Sequence, residues 1–221
     1  MQNSQVMKRL LILLFVFVSV HLSLTAHCNA TLSPREQSEA QIRQAITQAA
    51  SAMKTMQCDF TQTKHLRMLN DKMTSKGRMY YQQTNRLRWE YTSPYSYTFI
   101  LNDDKVLLKN KQRNDVIDVN KNKLFREIAR IMMNSVVGTS LTDDKSFKST
   151  IATNGNEWIA SLLPQRKDLK QLFQKIILHF SKKNAMVKQV ELIERNGDRT
   201  VIELNNIRTN EKISADMFTI R

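Results

Sequence analysis

Residues 77–101 read GRMYYQQTNRLRWEYTSPYSYTFIL, and their alternation of apolar and polar side chains is the strongest structural signal in the chain. Successive side chains of a β-strand point to opposite faces of a sheet. Leu87, Trp89 and Tyr91 therefore share one face of a predicted strand. The opposite face carries the charged residues Arg86, Arg88 and Glu90.

A second strand repeats this pattern after the break at Ser93–Pro94. Its apolar face presents a wide surface to the same side as the first strand. Because such faces are mostly protein core, the ordinary interpretation is a sheet face buried under helices. The apolar residues are Tyr97, Phe99 and Leu101, and the polar face carries Ser96, Thr98 and Asn102.

Two helices are predicted on either side of the first strands. Ser33–Glu36 combines a capping Ser, a Pro at the first helical position and a Glu three residues after the cap. The apolar residues that follow recur at helical spacing, so Cys58 is expected at the end of this helix, just before the first strand. Residues 120–137 return to the helical period, with Gly138 as the expected C-cap.

The remaining segments alternate like antiparallel strands. Turn signals separate them, above all Asn154–Gly155 and Asn196–Gly197. A short helix is predicted at Lys167–Gln174 and a final strand at Met217–Ile220. This succession predicts an α+β fold built on one large curved antiparallel sheet with few helices. The other predicted strands cover residues 99–101, 106–108, 115–119, 147–153, 157–163, 175–181, 187–194 and 199–206.

The N-terminus has the features of a secretory signal. Lys8–Arg9 precede the apolar run Leu10–Val20, and Cys28–Ala30 offers small residues for cleavage before Thr31. The run is short for a bilayer span, which disfavours an uncleaved anchor. The sequence therefore predicts a signal peptide at residues 1–30, export to the periplasm, and a single domain at residues 31–221.

The exported chain would be strongly basic. Removal of the signal peptide, which carries Lys8 and Arg9, would lower the formal net charge from +14 to +12. Such a protein meets anionic membrane surfaces and lipid head groups. Lys and Arg are spread along the chain without a nucleic-acid-binding motif, so nucleic acid is not an expected partner. Lys64, His65 and Arg67 form a local basic cluster, either an exposed loop or a contact with an anionic membrane or a partner protein.

No pattern in the sequence indicates catalysis, a metal site or a cofactor. Without the signal, Cys58 is the sole cysteine and is expected to be a small buried hydrophobic residue. His65 and His179 have no Cys or carboxylate neighbours at ligand spacing. Asp103–Asp104 and Asp143–Asp144 fall in polar turns, where solvated acids are expected. The sequence therefore predicts that the protein is not an enzyme.

Four motifs follow one another between residues 60 and 94. They are Phe60–Gln62, the Gly-opened segment Lys76–Tyr80, the Trp-centred strand Asn85–Tyr91, and Pro94 before the next strand. This order resembles the LolA-like family of periplasmic lipoprotein carriers. The similarity extends from about residue 42 to the C-terminus, where residues 213–220 resemble the closing strand of that family.

The resemblance implies an incomplete, half β-barrel whose concave face is covered by helices. A hydrophobic cavity between sheet and helices receives acyl chains in that family. The corresponding cavity residues here are Phe60, Met79, Leu87, Trp89, Tyr91, Phe99, Leu101 and Leu108. The lid residues are Ile128, Ile131, Met132 and Met133, and flexible methionines suit a lid that adapts to different chains.

One position departs from the family pattern. Family members commonly have a basic residue followed by Pro before the aromatic strand, and the basic residue helps to hold the lid shut. Here those positions read Gln83–Thr84. A glutamine lacks the charge-assisted hydrogen bonds of an arginine. The latch is therefore expected to be weaker or to lie elsewhere, with Arg86 or Arg88 as the nearest substitutes if one turns toward the lid.

The function implied by the resemblance is transport of lipoproteins from the inner to the outer membrane by a monomeric carrier. Its partners would be an inner-membrane release complex and an outer-membrane acceptor, with transient contact at the membrane surface. Two alternatives remain open. The first is a carrier of free lipid, glycolipid or a polyene precursor, and the second is a sensor module that binds a membrane regulatory protein.

Overall fold

The structure is a computed structural model that describes residues 37–112, 114–118 and 123–220, with the backbone alone at residues 123–128. In these ranges eleven strands form one sheet in the order β6-β5-β4-β3-β2-β1-β11-β10-β9-β8-β7. The strands are β1 (Thr55–Leu66), β2 (Asp71–Gln82), β3 (Arg86–Ser93), β4 (Tyr97–Asn102), β5 (Lys105–Asn110), β6 (Asn114–Asp118), β7 (Phe147–Asn154), β8 (Glu157–Pro164), β9 (Phe173–Ser181), β10 (Val187–Glu194) and β11 (Arg199–Thr209).

All neighbouring strands are antiparallel, which confirms the predicted antiparallel sheet. Neighbours in the sheet are also neighbours in sequence, except that β1 pairs with β11. That one long-range pairing joins the first half of the sheet to the second. The predicted signal peptide, residues 1–30, lies outside the described residues.

Three α-helices and two short 3₁₀ turns accompany the sheet in the described residues. They are α1 (Glu39–Ala52), α2 (Lys123–Val137) and α3 (Lys167–Leu172), with 3₁₀ turns at Thr139–Thr142 and Ala215–Phe218. Gly138 ends α2 as predicted. Its φ is +91°, and its N–H donates to the carbonyl of Asn134 at 2.9 Å.

The start of α1 differs from the sequence prediction. Ser38 caps this helix through a capping box with Gln41, whereas the predicted cap at Ser33–Glu36 lies outside the described residues. Helix α1 also ends earlier than predicted. Met53 has an extended ψ of 102°, and Cys58 lies within β1, opposite Met79 of β2. Cross-strand pairing thus prevails over the helical spacing that continues in the sequence beyond residue 52.

The predicted last strand is wrong, because the described part of the C-terminal segment forms a 3₁₀ turn instead. The N–H of Met217 donates to the carbonyl of Ser214 at 3.1 Å. Phe218 is buried and packs against Ile100 and Leu107. Burial of this aromatic side chain stabilises the tight turn, because an extended segment would place successive side chains on opposite sides.

The sheet has two apolar sides of unequal size. The side that bears Phe60, Leu87 and Trp89 carries most of the core and is called the main face here. The other side, the reverse face, bears the small cluster around Phe218. The predicted apolar sides of β3 and β4 do coincide on the main face, because Trp89 pairs with Phe99. The reverse-face burial of Ile100 was not predicted.

A close contact between Phe60 and Gly77 sets the geometry of β1, β2 and β3. The two residues are cross-strand partners, and a Cβ atom on Gly77 would lie 2.6 Å from the Phe60 ring and 2.0 Å from the carbonyl oxygen of Glu90. The Phe60 ring centroid lies 4.5 Å from that of Trp89 and 5.2 Å from that of Tyr91. Glycine at position 77 therefore provides the space for an aromatic cluster.

The substitution Gly77→Ala is expected to lower the free energy of unfolding by about 3 kcal/mol, the upper end for overpacking a core. Gly155→Ala is the matched control, because its φ is +52° and its added Cβ would meet nothing within 4 Å. The control should lose only about 1 kcal/mol, from the left-handed backbone. Denaturant unfolding with Trp fluorescence measures both. An equal loss in the two variants would contradict the steric role of Gly77.

Candidate functional site

An apolar cavity of about 210 Å³ lies between the main face and helix α2. Residues one turn apart on α2 provide one wall, as helical periodicity requires. Residues of five strands, β1, β3, β9, β10 and β11, provide the other. The helix contributes Ile131, Met132, Ser135 and Val136, and the sheet contributes Gln62, Trp89, Tyr91, Phe173, Val190, Leu192 and Ile202.

An aromatic cluster forms part of the sheet wall. Phe60 packs behind Trp89 and Tyr91, and the Tyr91 hydroxyl donates to the Gln62 Oε1 at 2.9 Å. Burial raises the pKa of Tyr91, so its hydroxyl stays neutral at physiological pH. The wall thus combines apolar rings with the Tyr91–Gln62 hydrogen bond and carries no charge. The buried Nε1 of Trp89 has no hydrogen-bond partner among the described residues.

The helix wall contains a polar group with an unmet hydrogen bond. Ser135 is 3% exposed, and its Oγ has no hydrogen-bond partner among the described residues. Leaving such a group unsatisfied costs about 1–3 kcal/mol. Met132 and Met133 are half-buried against the core beside it. The packing of α2 against the sheet therefore carries a small energetic penalty.

An ion pair connects α2 to the loop that follows it. The Arg130 guanidinium contacts the Asp143 carboxylate and donates to the Ser146 Oγ at 3.1 Å. Burial acts to raise the pKa of Asp143, but hydrogen bonds from Arg130 and Ser146 outweigh it and lower the pKa overall. Asp143 is thus an ion-paired structural carboxylate and not the solvated turn residue predicted from sequence.

Helix α1 is attached to the same region. The Arg43 guanidinium donates to the Ser149 Oγ and to the Ser149 carbonyl, both at 2.9 Å, and to the Leu141 carbonyl at 3.3 Å. Residues 138–149 therefore form a junction to which both helices are bound by arginines.

Four of the residues predicted for the cavity and its lid line the observed cavity: Trp89, Tyr91, Ile131 and Met132. Phe60 supports this wall from behind. The side chain of Ile128 lies outside the described part of the structure. The other predicted residues are packed in or against the main-face core, fully for Met79, Leu87, Phe99 and Leu101 and partly for Leu108 and Met133.

Sequence reasoning missed the cavity residues of the second half of the chain. Val190 and Leu192 alternate on β10, and Ile202 lies on β11. Their alternation is visible in the sequence, but it does not show that β11 pairs with β1 or that β10 follows β11 in the sheet. Gln62, by contrast, belongs to the Phe60–Gln62 motif that carries part of the family resemblance.

The residues predicted as the latch, Gln83, Arg86 and Arg88, do not line the cavity under α2. Gln83 is exposed, and its backbone N–H donates to the Lys54 carbonyl at 2.8 Å. Arg86 and Arg88 share the reverse-face register. Arg88 donates to the Glu90 Oε2 at 3.1 Å and to the Met217 carbonyl at 3.4 Å.

A wider groove of about 570 Å³ lies on the reverse face. Charged side chains such as Arg88, Glu90 and Lys109 line it, so it is a poor site for hydrocarbon. The smaller cavity under α2 has the apolar lining that a lipid-like ligand requires.

Neither a reactive thiol nor a metal site is found among the described residues. Burial and the neighbouring Asp59 raise the pKa of Cys58 to about 12, so its thiol is not a nucleophile at neutral pH. Within residues 37–112, 114–118 and 123–220, no group of three or more His, Cys, Asp and Glu side chains is placed to hold a metal ion. None of the helices in this part of the chain has the length and apolar character to cross a membrane.

Comparison with known proteins places this fold and cavity in a family. The family model for "Outer membrane lipoprotein carrier protein LolA" matches residues 51–221. An outer-membrane lipoprotein carrier protein of Methylibium petroleiphilum is 27% identical over 166 residues, which are 75% of this chain and 78% of the relative. One from Pseudomonas fluorescens is 25% identical over 173 residues, 78% of this chain and 81% of the relative.

A solved structure supports the fold. An uncharacterized conserved protein from Thermus thermophilus matches with a TM-score of 0.51 and 9% identity, over 82% of this chain and 93% of that protein. The family model covers most of the chain, and its members are carriers, which confirms the prediction of a non-enzymatic protein. This chain belongs to the LolA family of outer-membrane lipoprotein carrier proteins.

Proposed function

We propose that the protein carries lipoproteins across the periplasm from the inner to the outer membrane, with their acyl chains held between the main face and α2. The observation that carries this proposal is an uncharged apolar cavity roofed by a single helix. An acyl chain gains about 0.8 kcal/mol for each methylene removed from water, so several chains cannot cross an aqueous compartment unshielded. Membership of the LolA family supports the choice of lipoproteins as cargo.

The volume of the cavity implies that α2 moves when cargo enters. At about 210 Å³ the cavity is smaller than the roughly 300–1,000 Å³ of ordinary ligand pockets. It therefore accepts only part of one acyl chain. In our proposal this structure is the empty, closed state, the sheet curves into a half-barrel, and cargo displaces Ile131 and Met132 from the main face.

A carrier must also release what it binds. The contacts of α2 with the sheet compete with cargo, because both occupy the same apolar surface. The unpartnered Ser135 hydroxyl weakens the closed state. An entering acyl ester can accept a hydrogen bond from this hydroxyl, which relieves the penalty in the loaded state. The net free energy of cargo binding is thus a small difference between two large apolar contributions, the contact of cargo with the sheet and the contact of α2 with the sheet.

The substitution Ser135→Leu tests whether the cavity is the cargo site. A leucine fills part of the cavity and removes the unsatisfied hydroxyl, so the free energy of unfolding should be maintained or raised. Affinity for a dipalmitoylated lipopeptide should fall by about tenfold or more, which corresponds to about 1.4 kcal/mol. Ser51→Leu, on the exposed side of α1, is the matched control and should bind normally. Unchanged lipopeptide affinity in a folded Ser135→Leu variant would refute the cavity as the cargo site.

Mass spectrometry of the molecules that copurify with the protein identifies the cargo class. Acylated peptides are expected. Free lipids, glycolipids or polyenes alone would support the alternative lipid carrier and contradict lipoprotein transport. A crosslinked membrane protein without any lipid would support the sensor module.

We further propose that the Arg130–Asp143 pair takes the place of the missing basic latch. It connects α2 to the junction at residues 138–149 and is partly screened from solvent. Loss of this pair should therefore favour the open state. The closing contact would then lie at Arg130, in the middle of the helix, away from Gln83.

Asp143→Asn should lower the free energy of unfolding at pH 7 by about 1 kcal/mol, the usual size for an accessible pair. Because the pKa of Asp143 is lowered in the native state, the pair stabilises the protein above the ordinary aspartate pKa of about 3.9. This contribution disappears as the pH falls from that value through the lowered pKa. Denaturant unfolding at neutral and acidic pH measures the difference between variant and parent.

Asp144→Asn is the control for the latch, since Asp144 is exposed and adjacent. It should leave stability unchanged at both pH values. Hydrogen exchange in α2 should speed up in Asp143→Asn alone. Equal behaviour of the two variants would show that the ion pair does not hold the helix.

A further inference from the structure

The β1–β2 hairpin exposes three large apolar side chains at its outer end. Met68 is 92% exposed, Leu69 71% and Met73 53%. Met68 and Leu69 lie in the turn Arg67–Asn70 that joins the two strands. Adjacent exposed apolar residues of this size are characteristic of interaction sites.

The turn is held in place, so these side chains are displayed by an ordered element. The N–H of Arg67 donates to the Asp198 Oδ1 at 3.0 Å, and the Asn70 N–H donates to the Arg67 carbonyl at 3.4 Å. The Arg67 side chain lies on the β10–β11 turn, where a Cβ on Gly197 would be 2.7 Å from its Cδ. Met68 and Leu69 therefore cannot fold back onto the sheet without loss of these contacts.

The hairpin that carries the apolar tip is basic, and Arg67 and Lys72 lie next to the tip. Residues 64–76 carry four formal positive charges and one negative charge. Lys72 and Lys76 are exposed on β2, and His65 is exposed opposite Lys72. Lys64 pairs with Glu194 at 2.9 Å, which leaves the outer cations to face solvent. Two apolar residues beside the long basic side chains of Arg67 and Lys72 complement the interface of an anionic bilayer, where hydrocarbon lies beneath phosphate.

The register relates the tip to the cavity. Gln62 lines the cavity, and its main-face neighbour along β1 is Lys64, which lies opposite Met73. The turn is about 20 Å beyond Gln62 at the rise of an extended strand. A membrane at the tip would thus lie at one end of the strand that forms the cavity wall.

We propose that the hairpin tip docks onto anionic membranes by insertion of Met68 and Leu69 at the interface, with Arg67 and Lys72 on the lipid phosphates. This proposal goes beyond the carriage of cargo and does not depend on it. A bilayer is favoured over a protein partner because the exposed apolar surface at the hairpin end consists of three side chains, Met68, Leu69 and Met73, far fewer than the roughly 20–30 residues a side of a standard protein interface. Insertion requires only the tip, whereas a protein interface requires a broad complementary area.

Flotation with vesicles tests the proposal on the signal-free chain. The protein should float with vesicles of phosphatidylethanolamine and phosphatidylglycerol and remain unbound with phosphatidylcholine alone. Met68→Ser with Leu69→Ser should reduce the bound fraction by about tenfold, because the inserted apolar area is lost. Leu163→Ser, at a 45% exposed position on β8, is the matched control and should bind like the parent.

Charge and insertion are measured separately. Lys72→Gln should weaken binding and its salt dependence, whereas Lys148→Gln, an equal loss of charge at an exposed position on β7, should have less effect. A Leu69→Trp variant should be quenched by lipids brominated in their acyl chains. Absence of binding to anionic vesicles would overturn the proposal. The same holds if the tip crosslinks only to a protein and not to lipid. Binding that survives the double serine variant, or a Leu69→Trp signal that the brominated lipids leave unquenched, would also overturn it.

Discussion

The packing of the Phe60 ring on Gly77 is the contact on which the cavity wall depends. A side chain at position 77 would collide with the ring and with the carbonyl of Glu90, so three strands approach closely only because that side chain is missing. The ring then supports Trp89 and Tyr91 from behind. Without this support the aromatic wall would have to be rebuilt from other residues.

The sheet extends this local arrangement through one long-range pairing. Strand β1 carries Phe60 and Gln62 and pairs with both β2 and β11. Because β11 and β10 lie on its other side, Ile202 and Val190 reach the same cavity as the aromatic cluster. The cavity is therefore formed where the two halves of the chain meet, and each half contributes to its wall.

Helix α2 closes this wall with a combination of favourable and unfavourable contacts. Ile131, Met132 and Val136 bury apolar surface, while Ser135 buries a hydroxyl without a partner among the described residues. The Arg130–Asp143 pair adds a polar connection outside the cavity. The packing of α2 on the sheet therefore combines a large apolar contact with one unmet polar group.

Local sequence determined most strands, the apolar side of β3 and β4, and the α2 cap at Gly138, because side-chain period and turn chemistry act between near neighbours. Family motifs added Phe60, Trp89 and the function of a carrier. Only the tertiary structure decided that Val190, Leu192 and Ile202 line the cavity, since no local pattern shows that β11 pairs with β1. It also decided the ion pair between Arg130 and Asp143 and the 3₁₀ turn that contains Phe218, because both depend on groups that meet only when the chain is folded.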